Sequence, residues 1–289
     1  MQSATITVTS ASTITAASAS TVGPYTVASY TSGIATSSDY DIPKIWYPTN
    51  GTAPYAGVVF IAGHNTSYAE APETEQVNGH TVVEVDFSQW ARLLASHGFA
   101  VLFIDPDDLG ASPEDRATAL DQAVNALAGE NTRSASPLFG RLLVNKIAVM
   151  GHSYGGAGAL LATGAGNSHI AAALGLSPVS SSSNPYGADR VPTMIISARG
   201  DPYESDFPQQ YGTIPSTTTK LLANFKQDLT AWSSMHAIAL VPLGTHTTDP
   251  EVARLALSFL EVYLYADTRY KPFLVNDTAT LADFSYVNP

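Results

Sequence analysis

The sequence predicts an α/β fold: a central, mostly parallel sheet with helices on both faces and antiparallel strands at its start. Three observations predict it. Apolar runs without alternation recur along the chain, amphipathic segments at helical spacing fall between them, and the first sixty residues show short β-branched and aromatic stretches bounded by Gly, Pro and Asn. Unalternating Val, Ile, Leu and Ala suit strands covered on both faces, and strands that alternate with helices join through right-handed crossovers.

The antiparallel candidates are Thr5–Val8, Tyr25–Tyr30 and Lys44–Tyr47. The parallel series is Gly57–Ala62, Ala100–Ile104, Lys146–Gly151, Ala171–Leu176, Thr193–Ser197 and Ala237–Val241. Between them, Phe87, Trp90, Leu94 and His97 lie at helical spacing and stop at Gly98, a good residue just past a helix end. Ala117, Leu120, Val124 and Leu127 repeat that spacing. A last helix starts at Asp249 as N-cap with Pro250 at its first position, and shows Val252, Leu255, Phe259 and Tyr263 on one face. No repeat or long linker divides the chain. Residues 1–289 therefore read as one domain, with residues 1–20 as a Ser/Thr-rich segment peripheral to it.

Composition excludes several classes. The 289 residues are 45% hydrophobic and 13% charged, with no apolar run long enough to span a membrane. A net charge of −12 and a pI near 4.8 argue against nucleic acid or an anionic membrane surface as the main partner. With no cysteine there is no disulfide, thiolate metal site or cysteine nucleophile. Residues 1–20 lack the basic start and apolar centre of a secretory signal, but their uncharged Ser/Thr/Ala composition resembles the start of a mature exported protein. A secreted monomer is expected. Acidic loops are present, but none has the regular spacing of a Ca²⁺ loop, and no metal or cofactor is expected.

The segment Lys146–Leu161 carries the chemistry. A buried strand leads into Gly151-His152-Ser153-Tyr154-Gly155 and then into a helix of small residues. In the G-x-S-x-G elbow of an α/β-hydrolase, the Ser sits on a strained turn that projects Oγ into a cleft. Glycine two residues to either side lets strand and helix approach, and the first helical amides point at a developing oxyanion. The alternative is a glycine-rich turn that binds a phosphate or nothing.

In that fold the acid and the histidine follow the serine, each after a later strand. Thr193–Ser197 leads to Asp201 and Ala237–Val241 leads to His246, giving the order Ser153, Asp201, His246. Glu204 and Asp206 compete with Asp201 for the acid, and Asp249 has a helix cap to make. His80, His97, His169 and His236 read as structural, the last because it precedes its strand. The first oxyanion amide is expected from the loop after Gly57–Ala62, at His64, paired with the N–H of Tyr154. No second ligand stands at metal spacing from His64.

Gly23-Pro24-Tyr25-Thr26-Val27, Tyr47-Pro48-Thr49-Asn50, Leu94–Phe99, the elbow with Gly156, and Asp267-Thr268-Arg269-Tyr270 resemble segments of the bacterial cutinases and polyester (PET-type) hydrolases. The likeness runs from about Gly23 to Phe273, with weaker similarity to chlorophyllases and platelet-activating-factor acetylhydrolases. It implies a secreted, cofactor-free carboxylester hydrolase with a Ser153–His246–Asp201 triad, an oxyanion hole at His64 and Tyr154, and a shallow cleft walled by His64, His152, Tyr154 and Val179. Members usually carry an aromatic residue at the place of His64, Met at that of Tyr154 and Trp at that of Val179. They also have a C-terminal disulfide, which this cysteine-free chain lacks. Ser67–Phe87 and Pro202–Thr245 look like insertions beside the cleft. The expected activity is cleavage of short- to medium-chain esters or polyesters through an acyl-enzyme. A lipase- or acetylhydrolase-like enzyme on one lipid, and a non-catalytic binding protein on the same fold, are the alternatives.

Overall fold

A computed structural model describes residues 14–68, 74–77, 80–83, 87–180, 185–226 and 249–288. The strands are β1 (Val27–Tyr30), β2 (Tyr40–Pro48), β3 (Tyr55–Ile61), β4 (Thr74–Val77), β5 (His80–Val83), β6 (Ala100–Pro106), β7 (Leu142–His152), β8 (Ile170–Leu176), β9 (Thr193–Ala198), β10 (Lys220–Phe225) and β11 (Leu281–Val287). The helices are α1 (Ser88–Ser96), α2 (Pro113–Glu130), α3 (Tyr154–Ala162), α4 (Asp206–Thr213) and α5 (Asp249–Tyr265).

Nine strands form one sheet in the order β1-β2-β6-β3-β7-β8-β9-β10-β11. β1 and β2 enter antiparallel, the six strands from β6 to β10 run parallel, and β11 closes the far edge antiparallel to β10. This is the α/β-hydrolase architecture that the alternating pattern predicts. Every residue of β3, β6, β9 and β10 is buried, which is why these strands show no alternation.

The two faces are covered separately. Trp90 and Leu94 of α1 and Leu255 and Phe259 of α5 pack with Phe60, Phe103 and Met150 on one side. Leu120, Val124 and Leu127 of α2 and Leu160 of α3 pack with Val59, Ile104 and Val149 on the other. Burying a side chain of this size is worth about 1.5–3 kcal/mol, so these stripes set which way each helix faces. The start of α2 is fixed locally: Ser112 and Asp115 form a reciprocal capping box and Pro113 occupies the first turn.

Lys220–Phe225, not among the strands expected from the sequence, pairs parallel with β9 in register from Thr193↔Lys220 to Ala198↔Phe225. Pro202–Thr245 is thus not simply an insertion, since it supplies α4 and a parallel strand. Ala237–Val241 itself lies outside the described residues, as does Thr5–Val8. Within Ser67–Phe87, β4 and β5 form a separate two-stranded antiparallel pair.

Candidate active site

β7 runs up the middle of the sheet between β3 and β8 and turns into α3 within a single residue. That residue is Ser153, at φ 55°, ψ −121°. A non-glycine residue at positive φ is strained and persists only where its surroundings fix it. Here the Ser153 N–H donates to Leu176 O at 2.9 Å, and its carbonyl accepts from Ala157 N at 3.0 Å and Val179 N at 3.1 Å. The flanking glycines are required by close approach. A Cβ on Gly151 would lie 2.4 Å from Gly155 O, and one on Gly155 would lie 2.4 Å from Ala62 O.

The loop after β3 lies directly against this turn: a Cβ on Gly63 would sit 3.0 Å from Ser153 Cβ. Among the described residues, neither the His64 N–H nor the Tyr154 N–H has a hydrogen-bond partner. Tyr154 opens α3, where backbone N–H groups are left unpaired by the helix itself and carry its positive end. Among the described residues, two unpartnered amides thus lie at or next to the Ser153 turn, one on Tyr154 and one on the Gly63–His64 loop.

The walls differ in depth. The exposed His64 ring lies 4.9 Å from the part-buried Tyr154 ring, at 52°. His152 and Val179 are buried, with 7% and 8% exposure; His152 faces Phe87 at 6.3 Å and Val179 braces the elbow through its N–H. A cavity of about 810 Å³ lies at the opposite end of the strands, lined by Tyr25, His97, Glu261, Tyr265 and Tyr270. It holds none of these residues.

Asp201 follows β9 at the same end of the sheet as Ser153, with β8 between their strands, roughly 10 Å across at ordinary strand spacing. It is 4% exposed, and its Oδ1 accepts the Tyr203 N–H at 2.8 Å. The competitors are placed otherwise. Glu204 folds back to accept the Gly200 N–H and approaches Arg199, while Asp206 begins α4 and accepts from the Ser205 hydroxyl. His246 and His236 both lie outside the described residues. β10 ends at Phe225 beside Ala198, at the end of the sheet where Ser153 and Asp201 stand. His97 Nε2 contacts Thr21 O and His169 Nδ1 contacts Val144 O, both away from Ser153.

Residues 3–288 match the PET hydrolase-like family. The chain belongs to that family. Curated relatives include the bis(hydroxyethyl) terephthalate hydrolase of Streptomyces coelicolor, 28% identical over 255 residues, covering 87% of this chain and 71% of that protein. Cutinase 1 of Thermobifida cellulosilytica is 28% identical over 221 residues, covering 75% of this chain and 77% of the relative. A cutinase of Thermobifida fusca is also 28% identical, covering 75% and 67%. Among the described residues, no helix of this family member is long and apolar enough to cross a membrane.

Arg116 is absent from the sequence-based site but lies directly behind it. It is fully buried, and its Nη2 donates to Gly63 O at 2.8 Å and Leu109 O at 2.6 Å. The signal in the sequence was its spacing. Arg116, Leu120, Ala123 and Leu127 are all buried, so the inward stripe of α2 begins on a charged residue, whereas Ala117, the expected start, is only part-buried.

Proposed function

We propose that this chain is a secreted serine carboxylester hydrolase, acting as one α/β-hydrolase unit without a cofactor on short- to medium-chain esters or polyesters. The observation that carries this reading is Ser153, held at positive φ between β7 and α3 with the Gly63–His64 loop against its Cβ. His246 takes the Ser153 proton as Oγ attacks the ester carbonyl, and Asp201 fixes the imidazole tautomer. The N–H groups of His64 and Tyr154 hold the resulting oxyanion. Collapse returns the proton to the departing alkoxide and leaves an acyl-Ser153 ester. Water, deprotonated by the same histidine, then releases the acid.

The relatives' names, a terephthalate-ester hydrolase and cutinases, support polyester as a substrate class. The resemblance implies that family members usually clamp the aromatic ring of a polyester between an aromatic side chain and a Trp. Here Val179 is buried and small, and one wall is the His64–Tyr154 pair. Aliphatic esters and aliphatic polyesters are therefore the favoured substrates over aromatic ones.

Mapping a fluorophosphonate adduct tests the nucleophile. It belongs on Ser153, and Ser153→Ala should abolish p-nitrophenyl butyrate turnover; an adduct elsewhere or retained turnover refutes the reading. His236, the other histidine that follows β10 in the chain, is the competing candidate for the base. His246→Ala and His236→Ala separate the two: the true base loses about 10⁴-fold or more in kcat while the other variant keeps most of its rate.

A further inference from the structure

We propose that Arg116 is a positioning residue for the oxyanion hole, fixing and polarising from beneath the Gly63–His64 peptide whose N–H binds the reacting oxygen. The inference deepens the proposed function and rests on Ser153 as nucleophile and His64 N–H as an oxyanion donor.

The geometry begins with the peptide unit. Gly63–His64 is trans, so the Gly63 carbonyl and the His64 N–H point in opposite directions from one plane. Arg116 Nη2 holds the carbonyl at 2.8 Å from the α2 side, which turns the N–H to the other side. Gly63 lies against Ser153, and the N–H has no other partner among the described residues. The same Nη2 reaches Leu109 O at 2.6 Å, and that carbonyl also accepts the Asn65 N–H at 2.8 Å. His64 is thereby bracketed: the residue before it is tied to Arg116, and the residue after it is tied to a carbonyl that Arg116 also holds. Arg116 Cβ in turn packs against α3, within 2.8 Å of where a Cβ on Gly158 would stand. One side chain thus references the oxyanion loop to the helix that carries the second donor, Tyr154.

Charge adds to position. A cation donating to a peptide carbonyl pulls electron density through the amide and makes its N–H a stronger donor. That gain is felt most when the acceptor is an alkoxide, so it favours the tetrahedral intermediate over the neutral ester. The arrangement is costly for the fold. Among the described residues Nε and Nη1 have no hydrogen-bond partner, and a buried guanidinium so placed destabilises relative to an apolar side chain of similar size. Asp105, Asp108 and Asp115 are near enough to favour the cation, but no carboxylate among the described residues is hydrogen-bonded to it. The charge is directed at two carbonyls, Gly63 O after β3 and Leu109 O between β6 and α2, and the second also holds the Asn65 N–H.

The test compares wild type with Arg116→Gln and Arg116→Lys on p-nitrophenyl butyrate. Binding of an alkyl trifluoromethyl ketone and the thermal midpoint are measured on each. The ketone takes the Ser153 oxygen in a new C–O bond, gives the serine proton to the histidine and leaves a tetrahedral alkoxide in the hole. Arg116→Gln should lose about 10- to 100-fold in kcat, less than deletion of a direct donor, with KM within about threefold of wild type. The ketone Ki should rise by a similar factor. Arg116→Lys, which keeps a cationic donor, should fall between the two. Two results overturn the inference: kcat within about twofold of wild type in both variants, or a loss that appears in KM and stability while the ketone Ki stays unchanged. If Arg116→Gln does not fold, the same ratio read on Arg116→Lys decides. A wild-type protein that neither turns over ester nor binds the ketone refutes the reading of Ser153 instead, which is a separate result.

Discussion

Replacing Gly155 with Ala would insert one methyl group at the tightest point of the elbow. The new Cβ would stand 2.4 Å from Ala62 O and 2.5 Å from Ile61 O, and both are backbone atoms that no rotamer change can move. To bring the shorter contact to 3.0 Å, the start of α3 and the end of β3 have to separate by 0.6 Å, the difference between 3.0 and 2.4. The sheet resists this at Ile61, which is in register with Ile104 and Gly151 on its two neighbours. The displacement therefore passes into the next residues along the chain, Gly63 and His64. Overpacking of this kind costs about 1–3 kcal/mol in stability. A displacement approaching 1 Å between reacting groups costs up to about 100-fold in rate, so a 10- to 100-fold fall in kcat is expected. Ester kinetics and urea unfolding on the same preparation measure both. Wild-type kcat in a variant that is 1–3 kcal/mol less stable, on the order expected for overpacking, would refute the coupling between the elbow and the oxyanion loop. Unchanged stability would refute the contact itself.

Two further outcomes follow from the same structure. Gly129 is exposed near the end of α2 with nothing within 4 Å of an added Cβ, so Gly129→Ala should raise stability by about 0.5–1 kcal/mol in urea unfolding and leave kcat alone. Asp189 is buried with one carboxyl oxygen lacking a partner among the described residues, and burial pushes it up to about 8. It is protonated in the fold at a pH where the unfolded chain ionises it. Its contribution is therefore complete below pH 4 and is lost as pH rises toward 8, at up to about 1.4 kcal/mol per pH unit. Glu261, raised to about 8 chiefly by burial, acts in the same direction. Asp189→Asn should flatten the pH dependence of the unfolding free energy between pH 5 and 8, and an unchanged slope would remove Asp189 as its source.

What could be read from the sequence was whatever local pattern decides. The elbow was legible because strand, turn and helix each leave their own mark within Lys146–Leu161, and the glycines at 151 and 155 have no substitute in that packing. Lys220–Phe225 was not, because two apolar runs lie downstream of β9. Ala237–Val241 is the more uniformly apolar, and only pairing with β9 and β11 assigns the sheet position. Asp201 is buried while Glu204 and Asp206 are only part-buried, a difference that spacing of three to five residues cannot reveal. Arg116 escaped because a stripe drawn through Ala117 places a charged neighbour outside the core. A few tens of degrees of helix phase separate the two drawings, and the structure chooses the one that buries the cation.

The antiparallel strand β11 has a consequence for how the protein behaves in concentrated solution. It covers β10, whose six residues Lys-Leu-Leu-Ala-Asn-Phe are all buried and rich in apolar side chains. Its own flank is blunted by Asp283, which pairs with Arg199 and accepts from Asn224. A cut between Leu274 and Leu281 that let β11 peel away would uncover a row of unpaired backbone groups on a short, sticky strand. Limited proteolysis there should show first as turbidity, while Ser153, four strands inward, remains in place. The shelf life of such a preparation would then be set by one exposed connection far from the chemistry.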